Sequence, residues 1–244
     1  MSSSEAQIYR YHVENLRAVK ASVRTMERPI KVAISQGDAR QEAVLTKVYA
    51  LLVAAKLECR LATLLYQPDG FNQHQRQRVR GAGSHLDRWL EAIAVGFRFQ
   101  YDVKRLTANT IGFTAWNQFA ELQRLATVDL RPLIELRNNL AHGQWRYALT
   151  ADGANVSPDA MRDLSALNFT GIRLKSSLAD RLCDAIHELV VARDARRMNF
   201  DQHYNRILEI KRNLDVQDHN RWAMAMRTKY ERGVTLRHRR GNIT

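Results

Sequence analysis

The chain has 244 residues, of which 45% are hydrophobic, and a formal net charge of +13. No glycine, proline or serine run divides it, and it contains only four prolines and eleven glycines. This composition favours one main all-α domain over sheet architectures. Its two cysteines, Cys59 and Cys183, are too few for a metal quartet or a disulfide framework.

The charge points to a polyanionic partner, since 38 basic residues oppose 25 acidic ones. The first twelve residues lack the apolar region of a secretory signal, and no apolar stretch approaches the roughly 20 residues that span a bilayer. We therefore expect a cytoplasmic protein that does not enter a membrane and that can bind a polyanion.

Residues 1–37 are predicted to form an N-terminal amphipathic helix that packs on the bundle. Apolar residues recur at helical spacing from residue 5 to 28, and Pro29 is expected to end this helix. The next helix should run from Asp38 to Tyr66. Its uncharged stretch from Val48 to Ala55 is typical of a buried central helix.

Residues 73–83 are rich in glutamine and arginine and nearly lack apolar side chains. This pattern predicts a mobile loop or a frayed helix. A solvated loop is the plainer interpretation, and Arg76, Arg78 and Arg80 are candidates for RNA contact.

Capping residues mark the next helices. Ser84 or Asp87 can cap a helix whose apolar stripe runs from Leu86 to Phe97. Asp129 is expected to cap a later helix that tolerates Pro132 in its first turn.

The helix that follows Asp129 carries an arginine, Arg137, within its apolar face. At 100° per residue, Leu133, Leu136 and Leu140 lie together. Arg137 falls inside the apolar arc, where an arginine can also snorkel or pair with a core carboxylate.

Asn138 and His142 are four residues apart and share a face, so the amide can hydrogen-bond one ring nitrogen and fix its tautomer. Gly143 is typical of the residue past a helix end, where the helix dipole favours a protonated imidazole at His142. We expect His142 to be an oriented proton donor. A plain C-terminal cap is the alternative.

Arg137, Asn138, three further residues and His142 together resemble the signature of the HEPN family (higher eukaryotes and prokaryotes nucleotide-binding). The spacing alone is unspecific, because Arg80 and His85 also match it, but they do so in a glycine-rich stretch. The Arg137 copy follows an apolar helix and precedes Gly143. The resemblance covers roughly residues 40 to 200 and implies an HEPN-like helical bundle at residues 38–200.

The resemblance implies a metal-independent endoribonuclease that needs no cofactor and whose active site combines the motif helices of two protomers. In this role His142 would transfer protons, Arg137 would bind the phosphate, and Asn138 would complete the catalytic set. Five residues along a regular helix separate two side chains by about 140°. We therefore expect an isologous homodimer that places its two-fold axis beside the leucine face.

HEPN families often act as toxins or in antiviral defence, so an antitoxin or a regulatory protein is a further partner that the resemblance implies. A noncatalytic HEPN module that binds a nucleotide, RNA or another protein is the alternative function. A third reading is a basic helical nucleic-acid-binding protein in which the motif is coincidental.

After Gly143 the apolar spacing changes to two, and Asp152 with Gly153 is a tight-turn signal. The sequence therefore predicts a small β-hairpin after the motif helix. Trp145 is expected to anchor this hairpin on the bundle rather than to stack a base, and Arg146 is a candidate RNA contact.

The end of the chain is predicted to be helical and basic. Ser177 and Asp180 resemble a capping box for the helix that closes the domain. Residues 201–244 form a predicted basic helical extension in which Asp218 caps a helix and Arg239 and Arg240 are candidate RNA contacts. Thirteen Lys and Arg oppose six Asp and Glu between residues 193 and 244. A solvated basic helix is the alternative interpretation.

Overall fold

In the computed structural model, the described residues are 4–150, 152–191 and 197–241, and side chains are described for residues 4–150, 152–191 and 199–235. These residues form eleven α-helices, one π-helical turn and no strand, as expected for an all-α chain. The helices are α1 (Glu5–Gln36), α2 (Ala39–Tyr66), α3 (Gln73–Arg80), α4 (His85–Tyr101), α5 (Ala108–Ile111), α6 (Phe113–Leu125), α7 (Arg131–Ala141), α8 (Pro158–Ser165), α9 (Phe169–Val191), α10 (Arg197–Val216) and α11 (His219–Gly241).

Helix α2 lies at the centre and packs against α1, α7 and α9. Asp38 caps it by accepting a hydrogen bond from the backbone N–H of Gln41. Tyr49, Val53 and Leu57 are at most 1% exposed, so the prediction of a buried central helix is confirmed. Helix α4 also packs against α9. Both α2 and α4 contact the motif helix α7, so two core helices lie behind it.

Helix α1 continues through Pro29, so the prediction that it ends there is wrong. A proline inside a helix loses one backbone hydrogen bond. Ile30 and Ile34, which follow the proline in the next turn and a half, are 0% exposed, and their burial outweighs this loss. Helix α1 ends instead at Gly37, whose φ of 73° is left-handed.

The arginine-rich stretch at residues 73–83 contains a short capped helix, α3, rather than a mobile loop. Asn72 and Gln75 form a reciprocal capping box, and Val79 is 0% exposed. The cap and this one buried side chain hold the helix on the bundle. Ser84 and Asp87 form a second capping box at the start of α4, as predicted.

Asp129 does not cap the motif helix, so that prediction is wrong. It lies in a π-helical turn, Ala126–Leu130, that joins α6 to α7 without a break. Its side chain is 6% exposed, and one carboxylate oxygen lies 3.6 Å from Nζ of Lys211. Burial raises the pKa of Asp129, and Lys211 opposes that rise. Asp129 is thus a core group facing α10.

The predicted β-hairpin is not present in the described part of the chain. Residues 149 and 156 form a single antiparallel bridge, and no strand extends from it. The alternation fails because Ala148 is 0% exposed whereas Tyr147 is 54% exposed. Trp145 nevertheless anchors this segment, since its indole N–H donates to the carbonyl of Leu140 at 3.0 Å.

Helix α9 begins two turns before Ser177, which is an exposed interior residue, so the predicted capping box is wrong. Phe169 and Ile172 are 0% and 3% exposed and extend the buried face of α9 toward its start.

Helix α10 packs on α9, and α11 packs on α1. The predicted boundary at residue 201 falls inside α10, whose Ile207 is 0% exposed in the same core. Asp218 caps α11 as expected, accepting from the N–H of Arg221 at 3.0 Å. None of the described helices combines the length and the apolarity needed to cross a bilayer.

Candidate functional site

The motif lies at the C-terminal end of α7, which stops at Ala141. Gly143 has a left-handed φ of 80°, and its N–H donates to the carbonyl of Leu140 at 3.2 Å. The N–H of Gln144 donates to the carbonyl of Asn139 at 2.9 Å. These two bonds form a Schellman motif, which satisfies the last carbonyls of the helix. The predicted helix end at His142 and Gly143 is confirmed, and His142 is the capping residue.

The leucine face of α7 is not available to a second protomer. Leu133, Leu136 and Leu140 are only 2%, 3% and 2% exposed, because they pack into the core of the single chain. The prediction that this face borders a two-fold axis is therefore wrong. The exposed face of α7 carries Asn138 and, at the helix end, His142.

Arg137 lies at the edge between these two faces, with 38% of its side chain exposed. Its guanidinium donates to a carboxylate oxygen of Glu58 on α2 at 3.2 Å and to Oδ1 of Asn138 at 3.0 Å. The side chain therefore pairs with a carboxylate from the neighbouring helix. This pairing is one of the two structural roles expected for it, the other being to snorkel toward solvent. The pair fixes the guanidinium where solvent can still reach it.

His85, at the start of α4, is the second histidine near Arg137. Burial, together with the positive charges of Arg88 and Arg137, lowers the pKa of its imidazole to about 4. Its Nε2 is buried without a hydrogen-bond partner among the described residues. His85 is thus a neutral ring at neutral pH, held close to the guanidinium of Arg137.

Asn138 does not orient His142, so that prediction is wrong. The amide oxygen of Asn138 accepts from Arg137, and the only bond between Asn138 and His142 in the described structure joins their backbones at 3.0 Å. The imidazole of His142 is exposed. Its backbone is instead held by the Schellman motif. Lys47 holds the segment that follows, since it donates to the carbonyl of Trp145 at 2.6 Å.

Sequence reasoning missed Glu58 and His85. Glu58 is 79 positions from Arg137 along the chain, and no local pattern links the two residues. In the sequence, His85 stands out only as the last residue of a second copy of the motif spacing. Their approach to Arg137 follows from the packing of α2 and α4 against α7.

The three arginines of α3 each have a partner within the chain rather than a free guanidinium. Arg76, Arg78 and Arg80 contact, in that order, the carboxylates of Glu5 and Glu91 and the hydroxyl of Tyr66. The guanidinium of Arg76 also lies 5.5 Å from the centre of the Tyr66 ring. The structure gives no contact between these arginines and the motif residues.

Arg146 is exposed, and its guanidinium lies 5.5 Å from the ring centre of Tyr147. Arg239 and Arg240 lie on α11, but their side chains are outside the described residues. Arg146 is therefore the one candidate RNA contact next to the motif among the side chains that are described.

Within the described ranges, no group of three or more His, Cys, Asp and Glu side chains is placed to hold a metal ion. In comparisons with known proteins, no family model, no curated protein and no solved structure matches this chain. The resemblance to the HEPN signature therefore rests on the motif residues themselves.

Proposed function

We propose that this protein is a metal-independent endoribonuclease of the HEPN type that acts in the cytoplasm as a homodimer. The observation that carries the proposal is the exposure of the motif. Asn138 and His142 face solvent, and the guanidinium of Arg137 stays partly exposed beside them. A catalytic role requires this access, whereas three side chains buried in the core could not reach a phosphodiester.

The chemistry needs a base, an acid and fixed positive charge. One imidazole of His142 would take the proton of a ribose 2′-hydroxyl, whose oxygen then attacks phosphorus. The other copy would protonate the departing 5′-oxygen, leaving a cyclic phosphate and a free 5′-hydroxyl. Arg137 would bind the non-bridging oxygens through its planar, permanently charged guanidinium.

The dimer in this proposal uses the exposed face of α7 rather than its leucines. Two copies related by a two-fold axis would bring the C-terminal ends of both motif helices into one groove. Arg146 follows the motif directly and would lie near the same RNA. An antitoxin or another regulatory protein that covers this face would silence the site.

Glu58 supports a second candidate function, a noncatalytic module that binds RNA or a protein. Its carboxylate already occupies Arg137 at 3.2 Å, so a phosphate must displace it or share the guanidinium. In a purely binding protein this pair would have a structural role, and RNA would be bound without being cut.

The direct test incubates the purified protein with RNA in the presence of a chelator. We expect cleavage by the wild type and a loss of at least about a hundredfold in both Arg137→Ala and His142→Ala, the scale typical of removing one transition-state contact. Arg105→Ala, an exposed arginine in the loop before α5, and His74→Ala, an exposed histidine on α3, are matched controls that should keep full activity. Unchanged cleavage in both motif variants would refute the assignment, and RNA binding without cleavage would favour the second candidate.

A further inference from the structure

A cavity of about 140 Å³ lies behind the motif helix, on the side away from Asn138 and His142. The buried face of α7 forms one wall with Leu133 and Leu136. The start of α9 and the end of α10 complete the apolar lining with Ile172 and Leu214. A cavity of about 150 Å³ accommodates a benzene ring, so the space suits a small ring or a branched alkyl group.

Lys175 brings an amine to this apolar space. Its ammonium makes no hydrogen bond or ion pair with any residue in the described part of the chain. Burial lowers the pKa of Lys175, while the carboxylates of Asp129 and Asp163 oppose this shift and Lys211 adds to it. A half-buried amine without a direct partner is costly, and an anion placed beside it would remove that cost.

A second hydrogen-bond donor beside the cavity also favours an anionic ligand. Gln217 lines the cavity, and its Oε1 accepts from the hydroxyl of Thr170 at 2.6 Å. Its Nε2 has no acceptor among the described residues. This amide packs beside Gly171, where an added Cβ would lie 3.1 Å from Oδ1 of Asn168 and 3.4 Å from Nε2 of Gln217. The cavity therefore offers two unused donors, one charged and one neutral, beside apolar walls.

The negative charge of Asp163 favours a singly charged ligand over a doubly charged one. Asp163 lines the cavity, and its negative charge acts on Lys175 without forming an ion pair with it in the described structure. One negative charge in the wall disfavours a dianion such as a phosphate more than it disfavours a monoanion.

We propose that this cavity is a binding site for a small monoanionic carboxylate with an apolar body about the size of a benzene ring. Lys175 and Gln217 bind the carboxylate, and the leucines of α7 contact the apolar body. The site is distinct from the motif, since it uses the opposite face of the same helix, and it does not depend on ribonuclease activity.

Benzoate and its neutral counterpart benzamide test the proposal by calorimetric titration of the full chain. We expect benzoate to bind the wild type about tenfold more tightly than benzamide, the scale of one charged hydrogen bond. Lys175→Met keeps the length of the side chain without its charge and should abolish this preference. Lys229→Met, an exposed lysine on α11, is the matched control and should preserve it.

Equal affinity of the wild type for benzoate and benzamide, or no binding of benzoate, would overturn the proposal without any variant. Benzoate binding that is unchanged in Lys175→Met would overturn the assigned role of the lysine. None of these readouts involves RNA, so they are separate from the test of the proposed ribonuclease.

Discussion

Arg137 is the residue on which both candidate functions depend, because its partners decide what else it can bind. The guanidinium is shared between Glu58 and Asn138, and the imidazole of His85 lies nearby. Glu58 and Arg137 are each about one third exposed, so their pairing contributes little to stability. Its larger effect is to fix the direction of the guanidinium.

Replacing Glu58 by Gln should tighten RNA binding by roughly fivefold, about 1 kcal/mol, because a phosphate would no longer compete with a carboxylate for Arg137. The measurement is fluorescence anisotropy with an RNA whose 2′-hydroxyls are methylated, so that it cannot be cut. Glu135→Gln on the exposed face of α7 removes the same charge without this pairing and should have a smaller effect. Equal effects of the two variants would contradict a specific role of Glu58.

His85 should make stability depend on pH. Burial and the nearby charges of Arg88 and Arg137 lower the pKa of its imidazole from 6.5 to about 4, so the unfolded chain binds more protons than the folded one between these values. The contribution to stability is therefore complete above about pH 6.5 and is lost as the pH falls toward 4. In His85→Asn, the slope of the unfolding free energy against pH should decrease by up to about 1.4 kcal/mol per unit in this range. Chemical denaturation at several pH values measures it, and an identical slope in variant and wild type would be inconsistent with a buried neutral ring.

At the scale of single elements, capping residues and glycines predicted a helix end correctly where the buried face of the helix ends close to the same residue. The capping box of Ser84 and Asp87 and the glycine at position 143 mark helix ends that the structure contains. Pro29 and Ser177 look like boundaries but lie inside helices. In both cases buried side chains extend the helix past the apparent boundary, Ile30 and Ile34 after Pro29 and Phe169 and Ile172 before Ser177. A short stretch of sequence does not show that these side chains are buried.

The end of α7 depends on Gly143, because its φ of 80° is strained for any residue with a Cβ. Gly143→Ala should lower the free energy of unfolding by about 1 kcal/mol. Gly233→Ala is the matched control, since Gly233 lies inside α11 and a Cβ there would meet no described atom within 4 Å. That variant should be neutral or stabilising by about 0.5–1 kcal/mol. Urea denaturation distinguishes the two, and a harmless Gly143→Ala would argue against the left-handed cap.

Helix α1 should become more stable when its internal proline is removed. Pro29→Ala restores a backbone N–H inside the helix and should raise the free energy of unfolding by about 1–3 kcal/mol. Pro158→Ala serves as the control, because Pro158 occupies the first turn of α8, where no helical hydrogen bond is lost. It should change stability by less than about 1 kcal/mol. If both variants behave alike under thermal denaturation, α1 does not continue through residue 29 in solution.

For the whole molecule, composition and periodicity predicted the all-α class and the buried central helix, because a long uncharged stretch is stable only inside a core. They did not predict the surroundings of the motif. Arg137 and His142 were found through local spacing, whereas Glu58 and His85 reach Arg137 only through the packing of α2 and α4 on α7. The dimer face was misassigned for the same reason, since an apolar arc in a sequence does not reveal which partner buries it.

The central claim is that Arg137 and His142 from two chains form one ribonuclease site. It is tested most directly by measuring RNA cleavage, in the presence of a chelator, for the wild type, for Arg137→Ala and His142→Ala alone, and for a mixture of the two variants after their protomers have been exchanged. We predict an active wild type, two inactive variants, and a mixture that regains a small part of the activity, because each mixed dimer holds one guanidinium for the phosphate and one imidazole, which retains one of the two proton transfers. An inactive wild type, or a mixture no more active than its components, would contradict the account.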